Sequence, residues 1–371
     1  MWTANLFQTT TGQIGAQLHI EAATWSVSLN EIETLSIQLR KSDLPKVDFK
    51  KWFSPWWAGV VLSYDGVPIV AGPIVARNAE SFRFVYLEVR GIRQVLAKRL
   101  VVREMTDWSK LAESVVQYKG YSLGTIAKKV VQLSTSPKMG GVLPISYPIA
   151  DQTVKDDADH QRTYEGFNIG NISCHDVLTK ISEVSRGPDI MFKPRLVRDD
   201  LLTFDMVYGD EFDPRIDQKG TPVWDTTAIN GAVTDLDVTH TGTYQTNRVY
   251  SSGAGTSAGT LIKVITDQTT IQQGYPLLET TVSISDSKNG TVVMNHAKGQ
   301  LAANIAGLTE IQMTVRADTE NYLGSFWSGD LAHIIFDNSW MSFPEGTTKM
   351  RILNMNGNLS TNVKMSLQTE D

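Results

Sequence analysis

Hydrophobic and polar residues alternate at period two along much of the first hundred positions, the spacing of half-buried β-strands. In ETLSIQLRK, Leu35, Ile37 and Leu39 make one face while Ser36, Gln38 and Arg40 make the other. QLHIEA and TWSVSL alternate in the same way. In FRFVYLEVRG, Phe82, Phe84, Tyr86 and Glu88 oppose Arg83, Val85, Leu87 and Val89. Between these segments lies SPWWAGVVLSYDGVPIVAGPI (Ser54–Ile74), with Asp65-Gly66 between two apolar runs, a strong signal for a two-residue β-hairpin. Its arms lack a polar face. Val60, Leu62 and Tyr64 share one side with Val61 opposite, and Ile69 and Ala71 alternate with Val70 and Gly72 on the return. A hairpin on a surface keeps one face polar, so something must cover the second face of this one. Trp56 and Trp57 stand at its entrance and are expected to point to opposite sides. IRQVLAKRLVV would close the stretch as a short helix or turn.

The pattern then becomes mixed. YSLGTIAKKVVQLSTSP places Ile126, Val130 and Leu133 at helical spacing and stops at Pro137. SCHDVLTKISEVSRGP predicts the clearest helix. Ser173 can cap it, Asp176 takes a capping-box position, Leu178, Ile181 and Val184 form the buried stripe, and Gly187-Pro188 ends it. DIMFKPRLV and LLTFDMVYG read as a hairpin around Arg198-Asp199-Asp200. Further on, Ser251–Thr260 contains only Ser, Gly, Ala and Thr and is expected to be a mobile loop. A helix is predicted from near Asn289, with Val293, Ala297, Leu301 and Ile305 four apart and Gly307 as its stop. EIQMTV, DLAHIIF, KMRILNM and NVKMSLQ follow as four strands. Trp57-Ala58-Gly59, Ile74 and the strand Phe82–Val89 come in the same order as Trp327-Ser328-Gly329, Ile352 and the strand Val363–Gln368. That order predicts two related β units separated by an α/β insertion.

At 41% hydrophobic and 20% charged, the 371 residues are those of a folded protein rather than a disordered one. A net charge of -6 argues against a protein that coats nucleic acid. Cys174 is the single cysteine, so neither an internal disulfide nor a thiolate metal site fits within one chain. The opening MWTANLFQTTTGQIG lacks the charged and apolar regions of a signal peptide, so synthesis in a cytoplasm is expected. No apolar run approaches the length of a membrane span, so no membrane insertion is expected.

Candidate chemistry is sparse. Gly253–Gly259 has glycines but no G-K-S/T ending, so it is no phosphate loop. Asp156, Asp157, Asp159 and His160 in KDDADH could bind a cation, but the polar run around them reads as a solvated loop. Cys174 and His175 adjoin, and neighbours on a helix do not face each other. The acidic YGDEFD (Tyr208–Asp213) reads as a loop before Pro214. Nine tryptophans leave a sugar-binding surface open, although Trp56, Trp57 and Trp327 fall at strand entrances, where packing is the ordinary explanation. No catalytic, cofactor or metal residue is assigned, and no enzyme is expected.

The order of segments resembles the tail-hub (baseplate-hub or minor tail) proteins of long-tailed bacteriophages, as found in siphophages of actinobacteria. The resemblance is carried by TGQIGAQLHIEAATWSVSLNE, WWAGVVLSYDGVPIVAGPI, GIRQVLAKRLVVRE, SCHDVLTKISEVSRGPDIMFKPRLVRDD, FWSGDLAHIIFDNSW and TTKMRILNMNGNLSTNVKMSLQTED. KDDADH and the Ser/Gly/Ala/Thr loop have no counterpart in it.

The resemblance implies a β-rich α+β fold, with two tail-tube-like antiparallel β-barrel domains and an inserted α/β domain. The first barrel would span residues 1–104, completed by about 223–245; the insertion would span 105–222; the second barrel would span 246–371, with one helix near 290–306. It further implies a homotrimer whose six tube-like domains ring a bore. The tail tube or distal tail protein would stack above it, and tip, spike or fibre proteins would lie below. The bore would hold the end of the tape-measure protein and then pass DNA without specific binding. The place would be the tail tip of a virion. In such a ring Trp56, Trp57, Val60, Leu62, Ile69 and Trp327 are expected at the interface, the next domain covering the second face of the hairpin. The rival is a hairpin central to one closed core. The alternative function is a cell-wall-binding or wall-degrading tail module.

Overall fold

The alternating N-terminal segments pair into strands of one sheet, described in a computed structural model that covers residues 1–370 apart from 286, 306 and 307. They are β1 (Trp2–Gln8), β2 (Ile14–Leu18), β3 (Ile20–Ser28), β4 (Thr34–Arg40), β5 (Ala58–Tyr64), β6 (Val67–Glu80) and β7 (Phe84–Arg90), with short helices α1 (Phe49–Trp52) and α2 (Arg93–Leu96). The middle supplies β8 (Val115–Lys119), α3 (Leu123–Ser134), β9 (Ile145–Ser146), β10 (Gln161–Glu165), α4 (Cys174–Ser182), β11 (Ile190–Arg198) and β12 (Leu201–Tyr208). The last third supplies β13 (Val223–Asp225), β14 (Val233–Thr241), β15 (Arg248–Ser252), β16 (Ile262–Thr266), α5 (Gln268–Gln272), β17 (Glu279–Ser283), α6 (Gly290–Asn304), β18 (Leu308–Arg316), β19 (Leu331–Phe336), β20 (Gly346–Gly357) and β21 (Asn362–Thr369).

One ladder is used twice. Across the large sheet, β14, β18, β21, β20, β19 and β13 follow one another in the same order as β3, β4, β7, β6, β5 and β1. The registers match too. Leu35, Ile37 and Leu39 face Val89, Leu87 and Val85, and Ile311, Met313 and Val315 face Leu367, Met365 and Val363. A bulge follows Ile20 opposite Leu39, and its counterpart follows Val233 opposite Val315. A second bulge follows Ile74 opposite Val89, and its counterpart follows Ile352 opposite Leu367. A bulge sets two residues against one and fixes the local twist. Two bulges at matched places therefore give both units the same local twist there as well as the same order. The match fails at the far edge, where β13 runs parallel to β19 while β1 is antiparallel to β5, and at two further bulges of the first unit, between Leu62 and Ser63 and between Arg77 and Ala79, which the second unit lacks.

The units join edge to edge. Beyond its bulge, β20 pairs with β3, setting Asn354 against Ser28, Met355 against Val27, Asn356 against Ser26 and Gly357 against Trp25. The two closed barrels expected from the sequence are not what the described strands make. This seam merges both units into a single, mostly antiparallel sheet that does not close on itself. Residues 223–245, expected to complete the first unit, lie in the second, because β13 pairs with β19 and β14 with β18.

Insertions leave from the connections. Between β7 and β13 come the sheets β10–β8 and β11–β12–β9, with α3 and α4. Ser173 caps α4 by accepting from the Asp176 N–H at 3.1 Å, and Ser122 caps α3. Between β14 and β18 comes a smaller sheet, β16–β15–β17, whose Val249 packs on Ala297 and Leu301 of α6. The helix α6 starts beside Asn289 as expected, and Asn289 caps it; Gly307, its expected stop, lies outside the described residues. The expected loop Ser251–Thr260 starts inside β15, and its ends are tied by hydrogen bonds between Gly253 and Leu261 and between Leu261 and Ala254.

Candidate assembly interface

The opening hairpin is built by β5 and β6. Asp65 and Gly66 both take left-handed backbone angles (φ 47° and 81°), the geometry of a tight turn whose twist suits the strands. Val60, Leu62, Ile69, Val70 and Ile74 enter the core of the large sheet beside Trp25, Leu35 and Trp224. Ile69 and Val70 can both do so because the register shifts between Leu62 and Ser63. The second face carries Val61 and Ala71. These pack with Phe7 against Phe192, Phe204 and Met206 of the insertion, where the Phe7 and Phe204 rings lie 6.1 Å apart. The insertion is therefore the missing cover. Gly72 makes the close approach between strands possible, since a Cβ there would fall 1.7 Å from the Arg90 carbonyl oxygen.

Of the six residues expected at an interface, Val60, Leu62 and Ile69 are fully buried within the chain and share one core with Trp327. Their apolar area is already used. The Trp327 ring also lies 5.7 Å from the Lys193 ammonium. Burial lowers the pKa of Lys193 and raises that of Asp330, and each charge partly opposes the shift of the other. Trp57 is half-buried, edge-on to Trp52 at 5.1 Å with the Lys51 ammonium 4.7 Å from its ring. Trp56 alone is exposed, at 40%, on a left-handed backbone (φ 67°).

Sequence reasoning missed the seam and its open counterparts. At the seam, Asn354 Nδ2 donates to Ser26 Oγ at 2.9 Å and also to Ser28 Oγ. Ser328 Oγ donates to the Val27 carbonyl at 2.7 Å. Nearby, Arg351 pairs with Asp189 at the start of β11, and Asn30 donates to the same carboxylate at 3.3 Å. Asn30 also accepts from the Ile190 N–H at 2.7 Å, so both units and the insertion meet here. Glu33, in the β3–β4 turn, is fully enclosed, and burial pushes its carboxyl up to about 7. The matching edges are open. Among the described residues β14 is hydrogen-bonded as a strand to β18 alone, and the outer half of β6, from Ala76 on, to β7 alone. Arg77, Asn78, Ala79 and Glu80 are exposed. The signal that could have found these edges was the ladder repeat itself.

The remaining chemical candidates are held in local structure. Burial pushes the Cys174 thiol up to about 12, and His175 Nδ1 accepts from Arg93 Nε at 3.0 Å. His160 contacts Asp157 at 2.7 Å and Glu211 at 3.1 Å. Asp159 accepts from Asn295 of α6 at 2.6 Å, linking the two insertions. Among the described residues no group of three His, Cys, Asp or Glu side chains is placed to hold a metal ion. No helix of the described residues is long and apolar enough to cross a membrane.

No protein-family model matches the chain, and no curated protein sequence matches it. Solved structures share its fold. A tail protein from Neisseria meningitidis MC58 superposes with a TM-score of 0.58 at 14% identity, over 100% of this chain and 96% of its own. The 43 kDa tail protein of prophage MuSo2 from Shewanella oneidensis gives 0.56 at 10% identity, over 100% and 98%. A chain of the Francisella PdpA–VgrG complex gives 0.53 at 9% identity, over 99% of this chain and 52% of its own. The chain thus has, along its whole length, the fold seen in these two tail proteins.

Proposed function

We propose that the chain is a structural tail protein of a phage, a hub whose copies form a three-membered ring between the tail tube and the tail tip. The observation that carries this reading is the doubled ladder with matched bulges. Two equivalent β units per chain give six around a trimer, so one face can meet a six-fold tube while the other presents three-fold symmetry. The likeness to two tail proteins over the whole chain supports the same reading. In it the units are tube-like, the insertions lie outside the ring, and the exposed Trp56 and half-buried Trp57 are the predicted interface residues with area left to give. The net charge of -6 suits a bore through which DNA slides without sticking.

The test is the mass of the purified protein, with negative-stain images of the same sample. A three-fold ring with a central hole is expected, alone or on addition of the tube protein. A chain that stays single with both tube and tip proteins, while releasing soluble fragments from host cell wall, would replace this reading with the wall-module alternative.

A further inference from the structure

The seam between the two units has a second, unfilled copy. Matched through their partners on β21 and β7, Asn354, Met355, Asn356 and Gly357 of β20 correspond to Ala76, Arg77, Ala79 and Glu80 of β6, where a further bulge leaves Asn78 without a counterpart. Likewise Trp25, Ser26, Val27 and Ser28 of β3 correspond to Val238, Thr239, His240 and Thr241 of β14. In one chain β20 meets β3, whereas the outer half of β6 and the free edge of β14 have no strand partner among the described residues. An unpaired edge presents a row of N–H and C=O groups ready for another strand.

We propose that β14 of one copy adds to β6 of a second copy, antiparallel, in the register of the internal seam. Thr241 then lies opposite Ala76, His240 opposite Arg77, Thr239 opposite Ala79 and Val238 opposite Glu80, with Asn78 bulged out between Arg77 and Ala79. The occupant is another copy of this chain because the chain itself already contains one such joint with both halves present. Burial points the same way. Leu236 and Val238 are only half-buried, yet their counterparts Ala23 and Trp25 are buried. The two edges differ, so the contact is head-to-tail and builds a ring if the rotation closes.

The joint between copies is more polar than the one within the chain. Ala76 replaces the Asn354 clamp, and Arg77 with His240 replaces the buried pair Met355 and Val27. Polar, exposed edges keep separate copies soluble until they meet. Glu80 comes opposite the apolar Val238, and its carboxylate is held by Lys41 at 2.6 Å, so its charge is already paired beside the acids of β14.

The proposal rests on the ring reading, and paired cysteines separate the two. Ser26→Cys with Asn356→Cys is the reference, a disulfide closing within one chain. Ala79→Cys with Thr239→Cys is its counterpart and can close only between copies; Cys174 is buried and does not compete. Under mild oxidation the second variant should give covalent species of two and three chains and none larger, while the reference stays single. Arg77→Cys with His240→Cys tests the next rung if the first variant does not fold. Sedimentation of the unmodified protein reads the ring independently. A ring that forms while the reference closes and both interchain pairs stay open overturns the seam and leaves the ring standing. A chain that sediments as a single copy at all concentrations, with tube protein present, overturns both.

Discussion

Asn354 on β20 donates to Ser26 Oγ on β3 at 2.9 Å, tying together two strands that belong to different copies of one ladder. Its amide also reaches Ser28 Oγ, and the Leu29 N–H donates to the Leu353 carbonyl at 2.9 Å just beyond. Asn354→Ala removes the donor and leaves half-buried acceptors behind, a loss of about 1–2 kcal/mol. The melting temperature should fall, and amide exchange should rise at Val27 and Leu29 more than in the β5–β6 hairpin. Unchanged exchange at those two amides would show that the clamp does not hold the seam.

Asp189 and Arg351 form an ion pair whose side chains are 7% and 19% exposed. Truncating one partner leaves the other charge enclosed, so Asp189→Ala should cost about 3 kcal/mol. Replacing both, as Asp189→Leu with Arg351→Met, should recover much of that loss because no charge is left unpaired. Chemical denaturation of the single and double variants measures the difference. A double variant weaker than Asp189→Ala would count against the pair as the cause.

Glu33 gives the fold a pH dependence of known sign. Its carboxyl is raised from 4.5 to about 7, so the folded chain keeps a proton that the unfolded chain releases in that window. The folded state is favoured in full below pH 4.5, and this contribution is lost as pH rises through about 7, on the order of 3 kcal/mol in all. Glu33→Gln keeps the shape and carries no proton to lose. Stability measured from pH 5 to 8 should fall in the wild type and flatten in the variant, and parallel curves would sink the assignment.

Cys174 is buried at the start of α4 with its thiol near pKa 12. Thiolate is the reactive form, so an aromatic disulfide reagent at pH 8 should leave the native chain unlabelled. Labelling should appear only across the unfolding transition. Rapid labelling of the native chain would show a path to the thiol that the fold does not contain.

Local signals were readable where they decide structure alone. Asp65-Gly66, the Ser173 cap and the helix start near Asn289 all lie in short stretches whose chemistry acts within a few residues. The partners of β13 and β14 were not readable. Val223–Asp225 is three residues long, and VTDLDVTHT alternates without saying which edge it joins. Two apolar faces on β5–β6 reveal that a cover exists, but Phe204 of the insertion and a neighbouring copy would leave the same trace. For that reason Val60, Leu62 and Ile69 read as interface residues while the fold spends them on its own core. The open edges at Arg77–Ala79 and Val238–Thr241 carry almost no side-chain signature, since pairing there is a matter of backbone and register.

The matched bulges have a bearing on how freely such a sheet can drift. Leu35, Ile37 and Leu39 on one copy of the ladder are Ile311, Met313 and Val315 on the other, and Leu87 and Val89 are Met365 and Leu367. The chain is a natural experiment in which one blueprint has been written twice in different spellings. Inward-facing parity and the two matched extra residues recur in both copies, while the apolar residue at each of these five places differs between them.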